Sequence, residues 1–71
     1  GHAQRRSTSW VNEPEAEAAV EIATALLAES FIDDVGIVTP FRPQADLINE
    51  LLENRRITGV KAAAVDAFQG G

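Results

Sequence analysis

Residues 35–44 of the chain read VGIVTPFRPQ, and this stretch decides the fold. The apolar run from Val35 to Val38 has no polar alternation, which is typical of a parallel strand covered on both faces. A Thr-Pro pair ends the strand, and a helical pattern follows at once. Because proline disfavours helical backbone in the residue before it, we expect Arg42 to be the last non-helical residue and Pro43 to open the helix.

Gly36 lies inside this predicted strand, where glycine usually marks the close approach of another backbone or of a ligand. We expect close helix packing to be the reason, with a ligand as the alternative.

Helical patterns lie on both sides of the strand. Asn12, followed by Pro14 in the first turn and by early acidic residues, predicts a helix that runs to Ala28 or Glu29. Its predicted buried stripe is Ala16, Ala19, Val20, Ala23, Leu26 and Leu27. The second helix has the predicted buried stripe Leu47, Ile48, Leu51 and Leu52, with Asp46, Asn49, Glu50 and Glu53 facing away.

Val60 to Val65 is ambiguous, because its three alanines favour a helix whereas its short length and valine ends favour a strand. The order of helix, strand and helix before it favours a strand. The predicted fold is therefore α/β, with two parallel strands joined by a right-handed crossover through the second helix.

The composition limits the protein to one small domain of 71 residues with no cysteine and a single histidine, so a disulfide or a thiolate metal site is excluded. A chain of this length buries only about 60% of its unfolded surface, so we expect marginal stability. No apolar run is long enough for a membrane helix. We expect a soluble, intracellular (cytoplasmic) protein that makes no membrane contact.

The net charge of −5 argues weakly against a free-standing nucleic-acid binder. Seven of the eleven acidic residues lie between Glu13 and Asp34, whereas the chain from Val35 onward is neutral. A solvated face of the first helix explains this acidity better than an acidic docking surface.

Polar side chains follow both predicted strands. If the strands are parallel, their carboxyl ends share one edge, where open α/β sheets bind ligands. These residue types suit recognition of phosphate or of a nucleotide, although they also end ordinary turns. They are Thr39, Arg42 and Gln44 after the first strand, and Asp66, Gln69 and Gly70 after the second.

A complete catalytic site is not recognisable in the sequence. There is no Gly-Lys-Ser/Thr phosphate loop, no pair of acidic residues after a strand to hold magnesium, and no Ser-His-Asp triad. We predict no metal site and no cofactor bound by this chain alone.

The motifs at this edge resemble those of superfamily 1 helicases, specifically the Upf1-like group that includes Dna2-type and Smubp2-type enzymes. Residues 35–44 resemble motif IV of the second motor domain, and Val65-Asp66-Ala67-Phe68-Gln69-Gly70 resembles motif V. Ser9-Trp10-Val11-Asn12 resembles the lead-in to the preceding helix. The resemblance covers residues 9–70.

This resemblance implies a partial RecA-like domain of the P-loop NTPase type over residues 9–71. Residues 1–8 would be a tag remnant, Gly1-His2, and a flexible segment. Thr39, Pro40, Phe41 and Arg42 would help hold single-stranded DNA or RNA. Gln44, Asp66, Gln69 and Gly70 would lie between the nucleic acid and the ATP cleft.

The resemblance also implies what the complete helicase would supply: the first RecA-like motor domain, ATP and magnesium. We therefore expect a helicase fragment that is inactive alone and that self-associates through its uncovered surfaces. The alternative is a non-catalytic binding or interaction module on the same scaffold.

Overall fold

The structure is a computed structural model, and it describes residues 11–65. The elements are α1 (Glu13–Leu27), β1 (Val35–Thr39), α2 (Arg42–Asn54) and β2 (Val60–Ala64). Their order confirms the predicted α/β class. No helix within residues 11–65 combines the length and the apolar character needed to cross a membrane.

The two strands pair in parallel, as predicted. Val35 lies opposite Val60 at one end of the pairing, and Thr39 lies opposite Ala64 at the other. The ambiguous segment that begins at Val60 is thus a strand, because its backbone finds a partner in β1 and its alternate alanines are buried. Local propensity alone favours a helix for three alanines, and tertiary pairing overrides it.

Both helices contribute to one core on one face of the sheet. Ala16 and Val20 from α1 meet Ile48 and Leu52 from α2 over Ala62 of β2. The small side chains on α1 allow the helix to approach closely, and Leu27 extends this stripe at its end. Leu26, predicted to be buried, is instead 45% exposed, because it lies at the flank of the stripe.

The other face of the sheet is uncovered in the described chain, which corrects the prediction for β1. Val35 and Ile37 are half-buried, whereas Gly36 is exposed and Val38 is 59% exposed. The apolar run reads as if both faces were covered, but α1 and α2 cover only one. The prediction of close helix packing at Gly36 is also wrong, since an added Cβ would meet no atom within 4 Å.

The start of α2 corrects a second prediction. Arg42 is the first helical residue, and Phe41 is the N-cap, with an extended backbone at φ −115° and ψ 125°. The carbonyl of Phe41 accepts hydrogen bonds from the N–H groups of Gln44 and Ala45, both at 3.1 Å. These bonds outweigh the steric bias against helical backbone before Pro43, which is a preference and not a prohibition.

Asn49 corrects a third prediction, because it does not face away from the core. Its side-chain nitrogen donates to the carbonyl of Ala62, and its side-chain oxygen accepts from the N–H of Ala62, both at 2.9 Å. The amide therefore occupies the backbone groups of Ala62 that would otherwise pair with another strand. It joins α2 to the edge of β2 that lies away from β1.

Gly59 lies between α2 and β2 and packs against Leu27 at the end of α1. Its φ of +89° lies in a region that favours glycine, and an added Cβ would approach Cδ2 of Leu27 to 3.0 Å. Its carbonyl accepts a hydrogen bond from the N–H of Val35 at 2.8 Å. The turn thus aligns the first residues of both strands.

Candidate functional site

The carboxyl ends of the two strands meet at one edge of the sheet, as predicted. Thr39, the last residue of β1, lies opposite Ala64, the last residue of β2. Val65, the first residue of the hexapeptide that resembles motif V, follows directly and is 37% exposed. Asp66, Gln69 and Gly70 lie outside the described residues, so their placement at this edge remains a prediction.

Thr39 shapes the turn that leaves β1. Its side chain is buried, at 9% exposure, and its Oγ1 accepts a long hydrogen bond of 3.4 Å from the N–H of Phe41. A hydroxyl that bonds two residues ahead is a recurrent way of stabilising a tight turn. Pro40 sits exposed at the bend, and Phe41 is 46% exposed. The turn therefore presents one apolar ring at the edge of the sheet.

Arg42 supplies the positive charge of this edge. Its Nε lies 3.7 Å from Oδ1 of Asp46 one turn along α2, and the two side chains are 71% and 69% exposed. An ion pair so open to solvent contributes little stability, at most about 1 kcal/mol. The guanidinium can therefore exchange this carboxylate for a phosphate without a large cost.

Gln44 is buried, with 4% of its surface exposed, and both ends of its amide are engaged. Its Oε1 accepts from the backbone N–H of Asn12, and its Nε2 donates to the carbonyl of Asn12, both at 2.8 Å. We refer to this contact as the Gln44–Asn12 pair. Sequence reasoning placed Gln44 beside a nucleotide, and within residues 11–65 the structure places its amide against a backbone.

The Gln44–Asn12 pair was missed because the sequence offers only a weak signal for it. Gln44 lies one turn before Ile48 and two turns before Leu52, on the stripe that α2 buries. A polar residue in an apolar stripe must find a buried partner, so the position itself indicates a specific hydrogen bond. The identity of the partner cannot be read from the spacing.

The described residues do not supply a ligand set for ATP or magnesium. Within residues 11–65 no three histidine or acidic side chains cluster closely enough to hold a metal ion. The polar groups nearest the edge are those of Thr39, Arg42 and Gln44. Of these, Thr39 and Gln44 already form hydrogen bonds with backbone groups. We therefore derive no chemical step through a nucleotide from this part of the chain.

A shallow groove of about 450 Å³ lies elsewhere, at the amino end of β2. Leu52, Ile57 and Val60 line it together with the more polar Asn49, Arg56 and Lys61. It is remote from Thr39 and Ala64, which end the strands. The predicted site is thus an exposed edge that lies outside this groove.

Comparison with known proteins identifies the family. A family model described as an AAA domain matches residues 1–71. The chain belongs to this family. Its matched region corresponds to the C-terminal part of the superfamily 1 helicase motor domain, which confirms the coarser part of the resemblance.

Two curated relatives support this assignment. The chain is similar to the RNA helicase Mov10l1 of Mus musculus, with 33% identity over 69 residues, and to that of Homo sapiens, with 32% identity over 69 residues. Each match covers 92% of this chain but only 6% of the relative. The chain thus spans a small part of the length of these helicases. No solved structure matches the chain.

Proposed function

We propose that the chain is a piece of the second RecA-like motor domain of an ATP-dependent helicase in the Upf1-like group. In the complete protein it would contribute to single-stranded nucleic-acid binding and to the ATP cleft between the motor domains. The observation that carries this proposal is the parallel register that places Thr39 opposite Ala64. This register supports the proposal, because the turn that resembles motif IV lies next to Val65, which begins the hexapeptide that resembles motif V.

The turn from Thr39 to Arg42 would face the nucleic acid. An exposed aromatic ring can stack on a base, and an exposed guanidinium can bind a phosphate. Phe41 supplies the ring and Arg42 the guanidinium, and Thr39 and Pro40 form the bend that precedes them. RNA is the first substrate to test, because both relatives are named RNA helicases.

Motif V would complete the site from the second strand. Asp66, Gln69 and Gly70 follow Val65 and would lie on the nucleotide side of the edge, with Gln44 in a coupling role behind the turn. ATP and magnesium would require the first motor domain as a partner. We accordingly propose that this chain alone neither hydrolyses ATP nor unwinds a duplex, and that the complete protein acts inside the cell.

The test compares two arginines at opposite ends of α2. In the protein expressed from its entire reading frame, Arg42→Ala should weaken binding to fluorescein-labelled oligouridylate by about tenfold and lower the salt dependence of binding. Arg55→Ala is the matched control, because it also removes one exposed ion pair, with Glu17, from the opposite end of α2. Equal affinities of the two variants would contradict a nucleic-acid role for this edge. RNA-stimulated ATP hydrolysis by residues 1–71 alone would contradict the proposed inactivity.

The alternative, a non-catalytic interaction module, is favoured by one observation. The uncovered face of the sheet exposes Val38, and the loop before β1 exposes 80% of Phe31. Contiguous exposed apolar surface often marks an interaction site, and a second copy of the chain is one partner that would cover it. Sedimentation of the 71-residue chain over a range of concentrations measures self-association. A monomer at every concentration would remove the self-association hypothesis.

A further inference from the structure

One residue beside the proposed nucleic-acid edge is too buried to contact a nucleic acid itself. Gln44 is 4% exposed, yet it lies three residues after Phe41 at the start of α2. Glutamine at this helical position often bonds the backbone of its own N-cap residue. Here its amide reaches across to Asn12, 32 residues earlier in the chain.

The hydrogen bonds around this amide form a continuous series between three elements. Thr39 at the end of β1 accepts from Phe41, and the carbonyl of Phe41 accepts from the N–H of Gln44. The side chain of Gln44 then holds both backbone groups of Asn12. Asn12 in turn caps α1 through its own side chain, which accepts from the N–H of Glu15 at 3.0 Å.

We infer that Gln44 is a positioning residue for the turn from Thr39 to Arg42. This inference rests on the proposed function of that turn. By fixing the first turn of α2 against the N-cap of α1, the Gln44–Asn12 pair holds Phe41 and Arg42 at a constant distance and orientation from β1. The site is then preorganised, and no binding energy is lost in ordering the turn.

The chain provides a matched control for this inference. Asn49 lies five residues further along α2 and also binds both backbone groups of one residue, Ala62. Gln44→Ala and Asn49→Ala each remove two amide hydrogen bonds of nearly equal length. Only the first removal lies next to the proposed nucleic-acid edge.

The first measurement is amide hydrogen exchange in the 71-residue chain. Gln44→Ala should accelerate exchange at Phe41 and Ala45 by about tenfold relative to the unsubstituted chain, because it loosens the first turn of α2. Asn49→Ala should accelerate exchange at Ala62 and leave Phe41 unchanged. If Gln44→Ala leaves the exchange of Phe41 and Ala45 unchanged, the positioning role is overturned.

The second measurement is the affinity of the protein expressed from its entire reading frame for fluorescein-labelled oligouridylate. Under conditions in which both variants are fully folded by circular dichroism, Gln44→Ala should weaken binding by about tenfold, and Asn49→Ala by less than about twofold. Equal losses for the two variants would mean that general destabilisation is responsible, which overturns the inference. Unchanged affinity of Gln44→Ala would overturn it as well.

One further outcome separates this inference from the proposed function. If the unsubstituted protein does not bind oligouridylate, the proposed function fails, and the exchange rates of Phe41 and Ala45 alone decide whether Gln44 positions the turn. If Gln44→Ala does not fold, Gln44→Glu replaces it, because the carboxylate still accepts from Asn12 but can no longer donate to its carbonyl. If Gln44→Glu loses less affinity than Asn49→Ala does, the inference is overturned. A larger loss for Gln44→Glu than for Asn49→Ala would support it.

Discussion

Two amide side chains on α2 make the same contact with different consequences. Gln44 binds the N–H and C=O of Asn12 at the start of α1, and Asn49 binds the N–H and C=O of Ala62 in β2. Each amide binds both the N–H and the carbonyl of one residue, and the carbonyl of Asn12 also accepts from the N–H of Ala16 at 3.0 Å. Gln44 thereby joins two helices beside the carboxyl edge, whereas Asn49 joins a helix to the outer edge of a strand.

The difference shows that hydrogen-bond chemistry alone does not assign a role to a residue. Side-chain amides can substitute for a strand or for a capping group wherever the backbone leaves a donor and an acceptor side by side. At Ala62 such a substitution closes an edge that could otherwise recruit another strand. At Asn12 it fixes the geometry of a turn that carries an exposed ring and an exposed cation.

The largest effect is expected when both pairs are removed together. Gln44→Ala combined with Asn49→Ala removes four hydrogen bonds to backbone groups, and the carbonyl of Asn12 keeps only its bond from the N–H of Ala16. Each single substitution should lower the free energy of unfolding by about 1–3 kcal/mol, and the free energy of unfolding of a domain of this size is only about 3–5 kcal/mol. The double variant should be largely unfolded at 25 °C by circular dichroism. A cooperative thermal transition near that of the unsubstituted chain would show that the two pairs contribute little.

Gln44→Ala alone should destabilise the chain more than Asn49→Ala, since Gln44 is buried whereas Asn49 is half-exposed. We expect the free energy of unfolding to fall by about 2–3 kcal/mol for Gln44→Ala and by about 1–2 kcal/mol for Asn49→Ala. Urea denaturation of the two single variants measures both losses. The reverse order would mean that the bonds of Asn49 to the edge of β2 stabilise the chain more than the bonds of Gln44 to the start of α1.

Asn49→Asp should make the stability of the chain dependent on pH. The ionised carboxylate still accepts from the N–H of Ala62 but faces the carbonyl of Ala62 without a hydrogen, so the folded state raises the pKa of the introduced carboxyl above about 3.9. The variant should therefore be most stable below that pH and lose about 1 kcal/mol as the pH rises through the folded pKa. Denaturation at several pH values tests this, and a variant whose stability rises with pH would contradict it.

The smallest effect is expected at the ion pair between the helices. Nη2 of Arg55 lies 2.5 Å from Oε1 of Glu17, and the two side chains are 40% and 47% exposed. Because solvent screens such a pair, Glu17→Gln should cost less than about 1 kcal/mol, and the loss should shrink in high salt. Urea denaturation at low and high salt measures it. A loss as large as that of Gln44→Ala would show that the helices are held together mainly by charge.

Much of the fold could be predicted from local signals. The Asn12 cap, the Thr-Pro bend after β1 and Gly59 before β2 each mark a boundary that the backbone itself imposes. Periodicity correctly identified Val20, Ile48 and Leu52 as buried. Arg42 was placed wrongly by one residue because a steric preference was treated as absolute.

The exposure of the sheet could not be predicted from the same signals. Val38 lies in an apolar run that is typical of a strand covered on both faces, yet the described chain covers only one. Apolar patterning records what a strand needs to bury, and it does not say which polypeptide segment covers it. The same limit applies to the match with 6% of the Mov10l1 helicases, whose remaining length this chain does not contain.

The amino-acid sequence by itself predicted the order of the elements, because caps, turns and periodic apolar residues act over a few residues, and its motifs indicated the family. The strand that begins at Val60 stayed ambiguous until its pairing with β1 decided it. The sequence also indicated the edge at which Thr39 meets the start of the hexapeptide that resembles motif V. Only the tertiary structure decided what the amides of Gln44 and Asn49 do. Their partners lie 32 and 13 residues away, and a hydrogen bond is determined by distance and direction in space.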